Sequence, residues 1–98
     1  MLRGRRPPKG VWPIGTRVKV LPGLSWDREF TGRIADPSPG AFTFDRWDQW
    51  WRILTTERGT FRSYWVIFDE PQPDPDDVGG GVFTEAEVDE RFLERLAD

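Results

Sequence analysis

The chain has neither cysteine nor histidine, and its 98 residues include a single methionine. Without cysteine there is no disulfide, no thiolate metal site and no thiol nucleophile. Without histidine the commonest general base near neutral pH and the commonest transition-metal ligand are both missing. Serine–histidine catalysis and zinc hydrolysis are therefore excluded. Lysine is scarce too: Lys9 and Lys19 stand alone among arginines, a bias that reflects genomic base composition more than function. No apolar run approaches the roughly 20 residues of a membrane span, so no membrane association is expected. The start, Met1 to Trp12, has charge but no apolar segment of the secretory-signal kind. A thiol-free chain fits a reducing compartment, and the expected location is the cytoplasm of a bacterial-type cell.

What remains is one small domain. A chain of this length buries only about 60–65% of its unfolded surface, which leaves no room for a separate catalytic domain. The net charge of −3 hides a gradient. Arg3, Arg5, Arg6 and Lys9 make the first ten residues basic, whereas Asp69 to Asp98 carries eleven acids against Arg91 and Arg95. Residues 1–10, broken by Pro7-Pro8 and Gly10, read as a disordered basic tail, and residues 11–98 as a single domain.

The domain is organised around Tyr64 to Pro71. Tyr64, Val66 and Phe68 fall on one face of a strand and Trp65 and Ile67 on the other, so both faces need cover. Pro71 is expected to stop the ladder. Thr16 to Leu21 alternates as a half-buried first strand, with Thr16, Val18 and Val20 on one face. Phe30 to Asp36 reads as a second, with Phe30, Gly32 and Ile34 inward, and Gly32 marking a bulge or a backbone passing close by. Phe44, Trp47, Trp51 and Leu54 form a helical stripe with Trp50 alongside, and the segment through about Asp48 is read as a short helix or irregular loop. Trp51 to Thr56 then forms a strand that turns at Glu57–Thr60 into the central one. The two strands before residue 37 and the 51–56 strand are expected to supply its neighbours. Residues 69–81 form an acidic Pro/Gly connector. Thr84 and Glu87 match a capping box, and Val88, Phe92 and Leu96 fall on one helical edge, so residues 84–97 are predicted to form a C-terminal helix packed on the sheet.

Several short strands, one buried on both faces, with a kinking glycine and a closing helix, suggest a mainly β fold: a small SH3-like barrel with a C-terminal α-helix. The residues Gly15, Val18, Val20, Trp26, Gly32, Ile34, Tyr64, Val66, Phe68, Asp69, Phe83, Ala86 and Glu87 resemble the pattern of small barrels in electron-transport accessory proteins. These include photosystem I reaction-centre subunit IV, the variable chain of ferredoxin–thioredoxin reductase and the barrel of the nitrile hydratase beta subunit. The resemblance implies an accessory role that docks on a larger partner, with no cofactor held by the barrel. The segment V-K-V-L-P-G followed by F-T-G-R-I also resembles the KOW element of ribosome- and polymerase-associated barrels.

Arg46, Trp47, Trp50, Trp51 and Arg52 are the candidate partner-binding residues. Aromatics beside arginines anchor protein partners, hold cations or stack bases. The plainer reading of the same residues is that a small barrel needs large side chains to fill and cover it. Asp45 and Asp48 dilute a phosphate-binding reading. Asp74, Asp76, Gly79 and Glu85 match four positions of a calcium loop, but Val78 occupies a ligand position, so a solvated acidic linker is expected and no metal. Asp69 and Glu70 offer paired carboxylates without a second catalytic group; pairing of Asp69 with Arg62 or Arg33 is the expected role. The sequence thus points to a non-catalytic protein-interaction or accessory module, without cofactor. The alternative is a nucleic-acid-binding barrel that uses the basic tail and the Trp/Arg insert.

Overall fold

The computed structural model describes residues 9–23, 26–41, 47, 49–74 and 79–97. Within them one curled antiparallel sheet, a half-barrel, contains β1 (Arg17–Val20), β2 (Phe30–Ile34), β3 (Trp51–Thr56), β4 (Gly59–Pro73), β5 (Val82–Asp89) and β6 (Leu93–Arg95). Val18 and Val20, Ile34, then Tyr64, Val66 and Phe68 alternate inward from β1, β2 and β4, and Val88 and Leu93 complete the buried cluster. This is the period-two pattern of strands with one face on a common core.

The order of pairing explains the curl. β6 pairs with β1, β1 with β2, β2 with β4, and β4 with β5. The two ends of that path, β5 and β6, are consecutive in the chain and joined by a single 3-10 turn at Glu90–Phe92. Bonds from the Leu21 amide to the Phe92 carbonyl (2.8 Å) and from the Leu96 amide to the Arg17 carbonyl (2.9 Å) hold this return. The arrangement is compatible with a small SH3-like barrel.

The C-terminal helix expected over residues 84–97 is not formed; the described residues contain no α-helix. Val82–Asp89 is a strand instead, with Ala86 and Val88 turned toward the core cluster and Glu85 and Glu87 on the opposite face. The same residues satisfy a period of two as well as 3.6, and the free edge of β4 decides between them. An isolated helix of that length is marginal, whereas a strand here completes the ladder of an apolar segment. Thr84 therefore caps nothing, and the cap falls to Asp89, which accepts from the Arg91 amide at the 3-10 turn.

Other expectations are corrected in smaller ways. β4 does not end at Pro71: the ladder with β5 slips between Ile67 and Gln72, then resumes as Gln72↔Phe83 and Pro73↔Val82. Pro71, which has no amide to donate, falls in the irregular stretch. β1 is a neighbour of β2 and β6, not of β4. Gly32 marks a close approach without a bulge, since β2 pairs in register with both β1 and β4 around it. Asp69 pairs with Arg17, at 3.4 Å, and accepts from the Thr31 hydroxyl, instead of meeting Arg62 or Arg33.

Candidate interaction surface

Trp65 is the point at which the insert between β2 and β3 leaves and rejoins the sheet. Its carbonyl accepts from the Ala35 amide at 3.0 Å, and its amide donates to the Trp50 carbonyl at 2.9 Å. One edge of β4 thus serves β2 on one side of Trp65 and β3 on the other. The Trp65 indole lies on the outer face and is only 2% exposed. Trp47 covers it, edge to face at 5.3 Å, and the Trp65 indole nitrogen donates to Glu85 at 2.8 Å. The second apolar face of β4 is thereby covered by its own insert.

Arg52 ties the insert to β5. Its guanidinium donates to both Glu87 oxygens, at 2.7 and 2.6 Å, and lies 4.9 Å from the Trp47 ring centre. Glu85 also accepts from the Ser38 amide at 2.8 Å. Burial works against the Glu85 charge, but the bonds from Ser38 and Trp65 outweigh it and hold its pKa below the usual carboxylate value. Asp89 behaves alike: burial opposes its charge, and the Arg91 side chain and amide overcome that.

The remaining tryptophans cap the two ends of the core. Trp12 stacks on Tyr64 with centroids 5.2 Å apart, its amide donates to the Tyr64 hydroxyl at 3.1 Å, and its carbonyl accepts from the Trp50 indole at 2.8 Å. Trp51 packs against the same cluster. At the other end Trp26 meets Phe30, Phe68 and Phe83 edge to face.

The expected partner-binding residues therefore stand as follows. Trp47, Trp50 and Trp51 are half-buried, and Arg52 is engaged by Glu87 and Trp47. Arg46 lies outside the described residues, as do the remainder of the 44–50 stripe except Trp47, Gln49 and Trp50, residues 1–8 of the basic tail, and Asp76 with Val78 of the acidic loop. Lys9 and Gly10 are described, and their carbonyls accept from the Arg62 side chain. Of the calcium-loop residues, Glu85 is committed to Trp65 and Ser38.

The strand expected at Trp51 to Thr56 is formed as β3; what the sequence did not show is which of its edges stays open. The large apolar side chains that are exposed among the described residues are Ile14, Ile53, Val82 and Phe83. Ile53 sits mid-strand at 50% exposed. β3 pairs with β4 through six consecutive residue pairs, without a slip, closing on the two-residue turn Glu57-Arg58. Among the described residues its opposite edge has no partner strand. The β-branched Ile53, Thr55 and Thr56 around Leu54 were the available signal; they identify a strand but not which edge stays open.

Several clefts complete the surface, among them one of about 310 Å³ lined by Ile14, Ile34, Ile67 and Phe68 with Arg33 and Asp69. One of about 500 Å³ runs between Pro13–Thr16 and Arg95–Ala97, with Arg95 as its ionisable side chain. Another of about 220 Å³ includes Glu87, Asp89 and Arg91, whose carboxylates are already bound by Arg52 and Arg91. Among the described residues no cluster of three or more acids is placed to hold a metal ion, and no helix is long and apolar enough to cross a membrane. Compared with known protein families, curated proteins and solved structures, the chain matches none.

Proposed function

We propose that this chain is a non-catalytic protein-interaction module whose docking element is the β3–β4 hairpin. The observation that carries the reading is the regular β3 strand, with one edge unpaired among the described residues and Ile53 half exposed in its middle. Trp47, Trp50, Trp51 and Arg52 act in this reading as the mounting of that strand, fixing it to Trp65, Trp12 and Glu87. The absence of histidine and cysteine, together with carboxylates held below their usual pKa by arginine or indole donors, argues against acid–base chemistry. A nucleic-acid role fits less well, because the indole faces are packed and Arg52 is neutralised by Glu87 in a neighbourhood shared with Glu85.

A photo-crosslinking side chain at position 53 of the full chain tests this reading in cell extract. It should yield a discrete protein adduct that Ile53→Lys in a competing unlabelled chain fails to suppress, whereas wild-type chain suppresses it. Adducts from position 82 only, or equal suppression by both competitors, would refute the hairpin as the docking element.

A further inference from the structure

The partner of β3 is constrained by which backbone groups it leaves unused. The Trp65 amide bonds to the Trp50 carbonyl, which fixes the alternation along the β3–β4 ladder. Trp50, Arg52, Leu54 and Thr56 turn their backbone groups toward β4, and Trp51, Ile53 and Thr55 turn theirs outward. Three donors and three acceptors therefore line the open edge, one of each at every second residue.

Open edges are ordinarily blunted by lysine, proline, a bulge or short length. The rest of this sheet follows that rule: β6 is three residues long, and β5 slips in register and alternates Glu85, Glu87 and Asp89 along its length. β3 has no lysine, no proline and no slip. Its one charge, Arg52, is drawn to Glu87. That leaves β3 as the unguarded edge among the described strands.

We propose that a second copy of this chain pairs with it, β3 against β3 and antiparallel, about a two-fold axis at Ile53. This rests on reading the hairpin as the docking element and names its occupant. In that register Ile53 faces Ile53 of the other copy and Trp51 faces Thr55, and all the outward amides and carbonyls are satisfied. The register also solves the charge problem. Arg52 comes opposite Leu54 of the other copy, so the two guanidiniums do not meet, and each keeps its own Glu87. The side chains that meet across the axis are the half-exposed Ile53 pair, flanked on each side by a Trp51–Thr55 pair. A two-fold axis makes this contact closed, which prevents the edge from templating a fibre. The resulting sheet runs continuously from one half-barrel through both β3 strands into the other.

Sedimentation velocity of the full chain over a concentration series tests the proposal, with amide hydrogen exchange as a second readout. The expected result is a reversible dimer in which the Ile53 and Thr55 amides gain protection as concentration rises, while Arg52 and Leu54 are protected throughout. Ile53→Pro removes an outward donor in each copy without touching the β4 ladder, and it should raise the dimer dissociation constant at least about tenfold. Ile53→Lys, at a half-exposed position that leaves the core intact, should do the same with unchanged thermal stability of the monomer. A wild-type chain that stays monomeric at every concentration overturns the proposal. So does a dimer whose affinity is unchanged in both variants, or whose Ile53 and Thr55 amides exchange at a concentration-independent rate. A monomer that nevertheless loses a foreign protein adduct on Ile53→Lys overturns the second copy as occupant while leaving the hairpin as the docking element.

Discussion

Replacing Gly32 with alanine should be strongly destabilising, because the group it meets is backbone. A Cβ at that position would lie 2.6 Å from the Ile67 carbonyl oxygen, 2.8 Å from Val66 Cγ1 and 3.2 Å from Phe68 Cα. Ordinary contact begins at 3.4 Å, so the nearest distance is about 0.8 Å too short. The obstructing oxygen belongs to the backbone of β4, which is held by β2 on one edge and β5 on the other at that level. It has no rotamer to change; β2 and β4 must separate. Overpacking of this kind costs about 1–3 kcal/mol, and a stretched ladder bond adds about 1 kcal/mol. The sum, about 2–4 kcal/mol, corresponds to a drop in Tm of roughly 10–25 °C for a domain of this size. Urea and thermal melts followed by tryptophan fluorescence measure it. Gly15→Ala is the control: its φ of +93° strains a side chain, but nothing lies within 4 Å of the added carbon. That change should cost about 1 kcal/mol. A Gly32→Ala protein within about 0.5 kcal/mol of wild type, or more stable than the Gly15→Ala control, would refute the close approach of β2 and β4.

Three further outcomes are expected. In a double-mutant cycle of Arg52→Met and Glu87→Gln, the coupling should be about 1–2 kcal/mol, above that of an exposed pair, because the contact is bidentate and half-buried; urea midpoints of the four proteins measure it. Since Glu85 titrates below its unfolded value, its contribution to stability is present above the usual carboxylate range and is lost as pH falls through the folded pKa. Glu85→Gln should accordingly flatten the acid limb of a stability–pH profile, and an unchanged limb would contradict the Ser38 and Trp65 contacts. Ser63 is 1% exposed and its hydroxyl has no hydrogen-bond partner among the described residues, so Ser63→Ala should be neutral or stabilise by up to about 1 kcal/mol in the same melts.

The sequence carried the strands well where their apolar residues alternate against one core. Val18 and Val20, Gly32 and Ile34, and Tyr64, Val66 and Phe68 are buried as their spacing requires. The two-sided apolar character of Tyr64–Phe68 also pointed correctly to cover on both faces, and the Trp47 ring over Trp65 supplies the outer one. Residues 82–89 were misjudged because acid-rich segments with apolar residues two and four apart satisfy both periods; only the free edge of β4 selects the strand. The candidate residues Trp47, Trp50, Trp51 and Arg52 converge on one region, yet each is engaged within the chain, by Trp65, Trp12, the core and Glu87. Composition reports that aromatic and cationic groups are present; it does not report which of their faces are already occupied. The open edge of β3 left no compositional trace, since an edge is a property of the pairing.

Because the chain has no cysteine, a single Ile53→Cys substitution places one thiol per molecule, on the axis that would relate two β3 strands. Facing residues of a hydrogen-bonded antiparallel pair have Cα atoms about 5.5 Å apart, within the range a disulfide spans. Mild oxidation should convert this variant to a covalent dimer much faster than Val82→Cys, although Val82 is the more exposed position, at 60% against 50%. Equal rates for the two variants, or faster dimerisation through position 82, would contradict pairing of the chain along β3.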